Sequence, residues 1–574
     1  MAILLNPKHY LSHSSDPVTQ EIMQKTINFF EKKGLAKIKA DDHECVWYND
    51  FLSFLKEENI LSSLLTPSQY GKHSFNTARN VEFNEILGFY GLNYWYPWQV
   101  TVLGLGPIWM SDNEAVKKQA AKFLSEGEIF GFGLSEQKHG ADLYASEMRL
   151  IPEGNGKYRA VGEKYYIGNG NEAKLVSTFG KIEGGAEDEY VFFVVDPKHP
   201  NYECVKNTVH SQNYVAHYKL NNYPITDADI LSRGRKAWDD SLNTINIGKY
   251  NLGWASIGIC THAFYEALDH ASNRYLFKSY VTEFTHIKWL FFEAYMRLVS
   301  MRLFSLRACD YMRAAQVKDK IIDRRYLLYN PIVKMKVTTQ GEDVMSLLWD
   351  VIAAKGCEKD TYFEMALRDI RALPKLEGTV HVNMALIIKF MKNYFFNPGT
   401  FAEVPRQLSS KNDDFLFQQG PTKGLSKIKF HDYRKVYDSV TVHSPNLKIF
   451  KKQIRKLRWL LILGRPTKEQ ISDFDFLLNL GELFTLVVYG QLIIENLKLL
   501  QLEKGQTLLD HIFYFLVKDF SKYALKIHLK HNITPVQSLI TKQMLERPLM
   551  EMNQFEDCLK NAIYSLNGSY TMNI

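Results

Sequence analysis

Two short stretches carry residue types suited to chemistry. Residues 129–142, IFGFGLSEQKHGAD, join the large apolar residues Ile129, Phe130 and Phe132 to the polar run Ser135, Glu136, Gln137, Lys138 and then to Gly140. The apolar start predicts a buried strand and the remainder a glycine-punctuated loop, a segment able to present backbone N–H and C=O groups to a ligand; a plain strand end reads the same way. The second stretch is RDIRALPKLEGT, 368–379, in which Glu377 precedes Gly378 and Thr379. By itself a glutamate in that setting is a solvated helix end. Metal chemistry has no comparable pattern. The six cysteines (Cys45, Cys204, Cys260, Cys309, Cys357, Cys558) are far apart, without the paired spacing of a metal site or a dense disulfide framework. Reduced thiols in a cytoplasmic setting are the expectation.

A third stretch, NLKIFKKQIRKLRWLL (446–461), is amphipathic. At about 100° per residue, Lys448, Lys451, Lys452, Arg455, Lys456 and Arg458 fall on one side, and Leu447, Ile449, Phe450, Ile454, Leu457, Leu460 and Leu461 on the other. Two readings follow. The segment is either a surface helix whose apolar side joins a core, or a peripheral membrane contact with Trp459 at the interface.

The elements that must position these residues come in blocks. Ser15 and Asp16 supply a cap, Pro17 suits the first helical position and Gly34 follows EKK, so the chain opens with a helix ending at Gly34. Helical pattern recurs through 51–65 and 78–95, and 113–128 reads as another amphipathic helix, giving a helical domain over 1–128. Residues 129–235 change to short Val-, Tyr- and Phe-rich runs divided by Gly, Asn and Pro, as in NYVAHYKLNNYPI (213–225), which is a β domain. Long helical segments return over 236–395 as a bundle. Residues 396–415, FNPGTFAEVPRQLSSKNDDF, form a linker, and 416–574 are helical again.

Composition sets the outer bounds. At 574 residues and 46% hydrophobic content, the chain has material for several cores. Its formal charge of +7, from 70 basic and 63 acidic residues, is too mild and dispersed to make nucleic acid a main partner. MAILLNPKHY is too short an apolar run for a signal peptide. The longest apolar segments are interrupted by charges such as Glu482 and Glu495, so no membrane span is expected.

In their order, the 129–142 loop, KYRAVGEKYYIGNGNEAKLVSTFGKI (157–182) and EYVFFVVD (189–196) resemble the middle of the acyl-CoA dehydrogenase family. There a Leu-Thr-Glu-Pro-x-x-Gly-Ser-Asp loop meets flavin and CoA thioester, and a Lys-x-Trp-Ile-Thr strand covers the flavin. Here Ser135 stands for the threonine, Gln137 for the proline, Ala141 for the serine, Tyr166 for the tryptophan and Gly168 for the second threonine. RDIRALPKLEGT resembles the family's Arg-Asp-x-Arg motif and its catalytic glutamate before Gly-Thr. The resemblance covers about residues 15–395 and implies an α+β, mainly α fold: an N-terminal helical domain, a middle β-barrel domain and a C-terminal helical bundle. An extra helical domain follows, as in long forms of the family.

The resemblance also implies roles. Glu377 is the base that takes the α proton of an acyl-CoA thioester while the β hydrogen leaves as hydride to FAD, forming a 2,3-enoyl-CoA. Some members carry the base on an earlier helix, a region placed here around Trp254, but KYNLGWASIG (249–258) has no carboxylate. Leu134, Ser135, Tyr166, Ile167, Gly168 and Thr379 are implied to contact FAD: Ser135 hydrogen-bonds it, Tyr166 and Ile167 cover it, and Gly168 offers backbone. Arg274 and Phe277 match an Arg-x-x-Phe pair that reaches flavin dinucleotide across a subunit interface. Gly140, Ala141, Asp142, Lys249 and Gly378 are implied on the substrate side, with Asp142 ordering the loop and Lys249 replacing an arginine near CoA. Thr285, Asp350, Ala353, Ala354, Leu376 and His381 depart from the pattern. Asp350 repels phosphate, and the Cβ atoms of Ala353 and Ala354 obstruct close backbone approach.

The implied partners are acyl-CoA, an electron-transfer flavoprotein and a second subunit in a homodimer; no metal is implied. The rival readings are an acyl-CoA oxidase that uses dioxygen and a non-catalytic acyl-CoA-binding relative.

Overall fold

Pro17 opens α1 (Pro17–His43), and the Asp16 carboxylate accepts from the Thr19 amide at 3.3 Å, satisfying one of the helix's free N–H groups. The computed structural model describes residues 4–12, 16–186, 189–317, 320–321, 323–407, 412–501 and 505–573, so the expected cap at Ser15 lies outside the described residues. Gly34 ends the first helical stretch as expected: with φ of +74° and ψ of +159° it is not helical, and a second helix follows across this kink to His43 within the span α1. The amide of Leu35, displaced from the helix ladder at that kink, donates to the Asn573 carbonyl at 2.8 Å. The C-terminal end of the chain is thereby fastened to its first helix, with Asn573 Nδ2 donating to the Glu31 carbonyl at 3.0 Å.

The N-terminal block continues through α2 (Asn49–Glu57), α3 (Ile60–Leu65), α4 (Thr77–Tyr90), α5 (Leu92–Met110) and α6 (Glu114–Ser125). Helix α5, apolar on almost every side, is buried nearly throughout. Eight strands follow: β1 (Phe130–Gly133), β2 (Arg149–Gly154), β3 (Lys157–Gly168), β4 (Leu175–Ile182), β5 (Tyr190–Val195), β6 (Tyr202–Asn207), β7 (Val215–Thr226) and β8 (Ile230–Arg233). They form one sheet in the order β6-β7-β3-β2-β4-β5-β8, with β1 parallel to β4. The sheet has its own core of Met148, Leu150, Ile167, Val176, Phe193 and neighbours, separate from the continuous core shared by the helical parts.

Helix α7 (Gly234–Ser272) runs through the bundle against α4 and α5. A hairpin of β9 (Tyr275–Leu276) and β10 (Ser279–Tyr280) leads to α8 (Thr285–Arg313). Next, α9 (Tyr326–Ile332) passes through a π-helical turn (Val333–Val337) into α10 (Thr338–Ile352), followed by α11 (Tyr362–Ile370), α12 (Val380–Ile388) and α13 (Met391–Phe396). The extension holds α14 (Tyr433–Asp438), α15 (Pro445–Leu463), α16 (Lys468–Ser472), α17 (Phe474–Leu500), α18 (Gly505–His528), α19 (Pro535–Lys542) and α20 (Met552–Cys558).

The extension packs on the bundle. Helix α17 is long and apolar enough to cross a membrane, yet it lies inside the protein against α8, α12 and α18. The charges that interrupt its apolar run dock it: Glu495 accepts from Arg307 Nε at 2.8 Å and Tyr311 Oη at 2.9 Å, and Glu482 lies 3.4 Å from Lys336 Nζ. Arg297 of α8 makes a two-pronged pair with Asp519 of α18 at 2.8 and 3.0 Å. Helix α15 spans the predicted amphipathic stretch. Leu447, Phe450, Ile454, Leu457 and Leu460 are buried in the extension, leaving its basic side outward.

Removing Asp519 leaves Arg297 with Glu293, 2.7 Å away, as its remaining partner, so the cost stays below the about 3–5 kcal/mol of a buried charge left wholly unpaired. Asp519→Ala is therefore expected to lower the thermal midpoint at pH 7. Arg297 holds the Asp519 carboxyl down to about 2, against desolvation that acts the other way. Its contribution is complete above the unfolded carboxyl range and disappears as pH falls through about 2. Thermal melts should show the deficit of Asp519→Ala shrinking toward that pH, and a constant deficit would contradict the account.

Candidate active site

Glu377 sits in a turn that few L-residues adopt. Its φ is +50° and that of Gly378 is +87°, and a non-glycine residue held there gives up about 1–2 kcal/mol. The turn is pinned from outside. Lys334, in the π-helical turn between α9 and α10, donates Nζ to the carbonyls of Pro374 at 2.7 Å and Gly378 at 2.5 Å. Asn383 Nδ2 donates to the carbonyls of Gly378 and Thr379, each at 2.9 Å. Both ends of the turn carrying the carboxylate are thus fixed, and a π turn inside a long helix is a recurrent device at functional positions.

The carboxyl group points inward between α5 and α7. Oε1 accepts from Gln99 Nε2, which also donates to the Gly248 carbonyl at 3.1 Å, while Asn251 Nδ2 holds Gln99 Oε1 at 2.8 Å. Oε2 is buried with no hydrogen-bond partner. A Cβ on Gly248 would lie 2.7 Å from Oε2 and 2.5 Å from Leu103 Cδ2, so only glycine leaves this oxygen its space. The expected helical alternative around Trp254 is corrected by one and a half turns. The α7 position that meets Glu377 is Gly248, whereas Trp254 is wholly buried beneath the Arg302 guanidinium.

Burial pushes the Glu377 carboxyl up to about 7, opposed first by the Gln99 hydrogen bond and then by Lys334 and Lys249. Burial likewise pushes Lys249 down to about 8, with Glu377 acting in the opposite direction. Lys334 is pushed down to about 7, first by burial and then by Lys249. Burial thus moves a carboxyl and two nearby amines toward neutrality, the environment in which acid–base chemistry is tuned.

The polar loop after β1 is organised by Glu136. Its carboxylate accepts from Ser146 Oγ and the Glu147 amide at 2.7 Å, from the Met148 amide at 3.2 Å, and from the fully buried Lys164 Nζ at 2.7 Å. Asp142, expected to order the loop, is exposed and its carboxylate makes no hydrogen bond among the described residues; Glu136 takes that part. Gly140 and Ala141 are exposed beside it. Lys164 also donates to the Leu134 carbonyl at 3.0 Å, and Ser135 Oγ donates to the Tyr165 carbonyl at 2.7 Å, tying the loop to β3.

On β3, Tyr166 has φ of +62° and a ring that is 62% exposed, standing out from the sheet. Ile167 does not share that face: its side chain is buried in the sheet's own core, leaving only backbone beside Tyr166. A Cβ on Gly168 would meet Val100 Cγ2 at 2.6 Å and Tyr96 Cε1 at 2.7 Å, so α5 closes tightly over the glycine.

Other expected positions are dispersed. Phe277 is 91% exposed at the tip of the β9–β10 hairpin, and Arg274 lies at its base near His270, with 3.3 Å between Nη1 and Nε2. Thr379 caps α12 by accepting from the Val382 amide at 3.4 Å. Ala353 holds φ of +57° at the end of α10, a backbone shape suited to glycine, and Asp350 is exposed nearby. A separate open cleft of about 760 Å³, lined by Tyr70, Trp109, Lys236 and Phe417 among others, shares no residue with the Glu377 site.

Gln99, Lys334, Asn383, Gly248 and Tyr96 were not legible as site residues. None stands near Glu377 in sequence except Asn383, and their one signal, polar or glycine residues within apolar helices, is common in ordinary cores.

Comparison with known proteins places this geometry. Residues 236–392 match the sequence family described as acyl-CoA dehydrogenase, C-terminal domain. The chain is 23% identical over 386 residues to the very long-chain specific acyl-CoA dehydrogenase, mitochondrial, of Rattus norvegicus, covering 64% of this chain and 57% of that protein. It thus spans little more than half the length of that relative. An acyl-CoA dehydrogenase of Bacillus subtilis (strain 168) is 22% identical, with 65% of this chain and 98% of that protein covered. Among solved structures, acyl-CoA dehydrogenase complexed with FAD from Bacillus anthracis superposes with a TM-score of 0.74 at 15% identity, covering 98% of this chain and 97% of that one. Butyryl-CoA dehydrogenase from Megasphaera elsdenii gives 0.58 at 18% identity over 66% of this chain and 98% of that one. The fold is that of the acyl-CoA dehydrogenases, with an added C-terminal helical region.

Removing the Gln99 donor takes away a hydrogen bond to a charged group, worth about 1.5–3 kcal/mol. Gln99→Leu is therefore expected to move the Glu377 protonation midpoint upward by about one pH unit or more. The carboxyl infrared band, assigned by comparison with Glu377→Gln, reports it, and an unchanged midpoint would show that Gln99 does not hold the ionised form.

Proposed function

We propose that the protein is a FAD-dependent acyl-CoA dehydrogenase that converts an acyl-CoA thioester to its 2,3-enoyl-CoA and passes the electrons to an electron-transfer flavoprotein. One observation carries the reading. Glu377 presents a buried oxygen without a partner, in a pinned turn, with its carboxyl pushed up to about 7. A general base works best when its proton affinity lies near the working pH, and this one has no competing partner on the oxygen that must act. In the reaction Glu377 Oε2 takes the α proton. Gln99 and Asn251 keep the other oxygen oriented, and Lys334 fixes the turn. Enclosure by Leu103, Gly248 and Gln99 excludes water and so raises the carboxyl's proton affinity.

Bound FAD would supply the hydride acceptor. The outward Tyr166 ring and the loop at Leu134 and Ser135, whose hydroxyl can still accept, are what would hold its ring end, while Gly168, covered by α5, would not reach it. The dinucleotide end departs from the usual glycine loop. Ala353 carries a glycine-like φ of +57° and Asp350 adds an exposed carboxylate, so binding there relies less on close backbone approach to phosphate. Exposed Phe277 and the nearby Arg274 suit a contact with a second subunit in a homodimer. On the substrate side, Gly140, Ala141 and Asp142 form an open rim for the CoA portion. For α15, with its apolar side packed, any membrane contact is reduced to attraction between the basic side and anionic lipid.

An absorbance spectrum of the purified protein followed by anaerobic addition of acyl-CoAs of graded length tests the reading. Flavin bleaching on addition is the expected result, and a colourless protein that binds acyl-CoA would favour a non-catalytic role. Peroxide release in air would identify an oxidase instead. Glu377→Gln should keep acyl-CoA binding and lose flavin reduction by on the order of 10²–10⁴-fold; bleaching at the wild-type rate would remove Glu377 from the mechanism.

A further inference from the structure

The space around Glu377 Oε2 is bounded by contacts that the backbone fixes. Leu103 Cδ2, Glu377 Oε2 and Gln99 Nε2 all lie within 3.1 Å of one point, the place a Cβ on Gly248 would take. One turn further along the same groove, a Cβ on Gly106 would lie 2.5 Å from both Cγ2 and Oγ1 of Thr244 and 2.9 Å from its Cβ. Helices α5 and α7 therefore run antiparallel in direct contact: Gln99 meets Asn251, Leu103 meets Gly248, and Gly106 meets Thr244. The two glycines let the helices approach until nothing fits between them, and Leu103 and Thr244 are both buried.

The other directions away from Oε2 are shut as well. Toward Asn251 the way is crossed by its 2.8 Å hydrogen bond to Gln99 Oε1. Toward the sheet, Val100 and Tyr96 close on Gly168, whose Cβ would lie 2.6 Å from the one and 2.7 Å from the other. Helix α5 cannot draw back from α7 at this level either, because a Cβ on Gly104 would lie 2.6 Å from the Gly131 carbonyl oxygen of β1. From Gly248 to Thr244 is one turn, about 5.4 Å, against about 1.5 Å for each carbon–carbon bond, and Leu103 already fills part of that length.

We propose that the acyl group taken by this site is short, a chain of a few carbons, with Leu103 as the residue that sets the limit and Thr244 as a second stop behind it. This rests on the acyl-CoA reading given above and narrows it. A carbon deprotonated at Oε2 has the carbons that follow it against Leu103. A longer straight chain has to displace Leu103 and then part α5 from α7, and close-packed interiors resist both. In a pocket of fixed size a single methylene changes specificity by about 10-fold or more, so the limit is sharp.

The full-length protein, as purified, is given butyryl-, octanoyl- and palmitoyl-CoA anaerobically. Flavin bleaching is followed, and binding of each thioester to the same preparation is measured by calorimetry. The wild type should prefer butyryl-CoA over octanoyl-CoA by on the order of 10²-fold in both readouts, and palmitoyl-CoA should be poorer still. Leu103→Ala removes the first stop and leaves the second. It should raise octanoyl-CoA relative to butyryl-CoA by about 10-fold or more, while palmitoyl-CoA stays poor because Thr244 still meets Gly106. Leu103→Val, a smaller cut that carries the test if the alanine variant does not fold, should shift the ratio the same way by less.

Octanoyl- or palmitoyl-CoA taken as well as butyryl-CoA by the wild type overturns the proposal and leaves the acyl-CoA reading standing. An unchanged ratio in both Leu103 variants overturns the assignment of the limit to Leu103. Selective binding of butyryl-CoA without bleaching upholds the short acyl group and removes the dehydrogenase reading. Failure of all three thioesters to bind the wild type overturns both.

Discussion

Withdrawal of one carboxyl group from water is the constraint on which the other features of the site depend. A glutamate side chain on a turn would ordinarily reach solvent, and keeping it inside demands a backbone that turns back on itself. Glu377 adopts positive φ for that reason, and Lys334 must then hold the turn closed by two carbonyl contacts. Lys334 reaches those carbonyls from a π turn, which rotates the helix relative to a regular α register. Gly248 is required by the same logic, since a methyl group on α7 would strike the carboxylate. The strained φ, the π turn and the helix glycine express a single requirement.

The same accounting explains the buried charges between bundle and extension. Arg297, Arg307 and Lys336 lie buried on the bundle side of the junction, and each finds its acid on α17 or α18. Such pairs seldom add much stability over apolar packing, but they are costly to leave half made. Their effect is to fix how the extension docks. The chain's end reinforces it by returning to α1 at the Gly34 kink, so that N-terminal helix, bundle and extension share one core.

Much of this was legible in the linear sequence where the signal is local. Asp16 and Pro17 marked a helix start and the Val- and Tyr-rich run over 213–225 a strand, whereas Glu377 by itself read as a solvated helix end and was singled out only by the family resemblance. Five of the seven apolar residues assigned to one side of α15 are buried and Ile449 and Leu461 are half-buried, but periodicity cannot say what covers an apolar face, and the answer was the extension's own core. Gly34 marked the end of the first helical stretch, but nothing local told that a second helix follows at once, its Leu35 amide tied to Asn573 more than 500 residues away.

Choosing between nearby acids shows where such reading stops. Glu136 and Asp142 lie in one loop, and resemblance favoured Asp142. Only Glu136 is within reach of Lys164, whose ammonium is fully buried and would be costly without a counter-charge, so the loop settles around that pair. Burial of a lysine on one strand thus determines which acid of a distant loop is structural. Asp142 is left exposed to solvent on the loop, its charge free of any structural partner among the described residues.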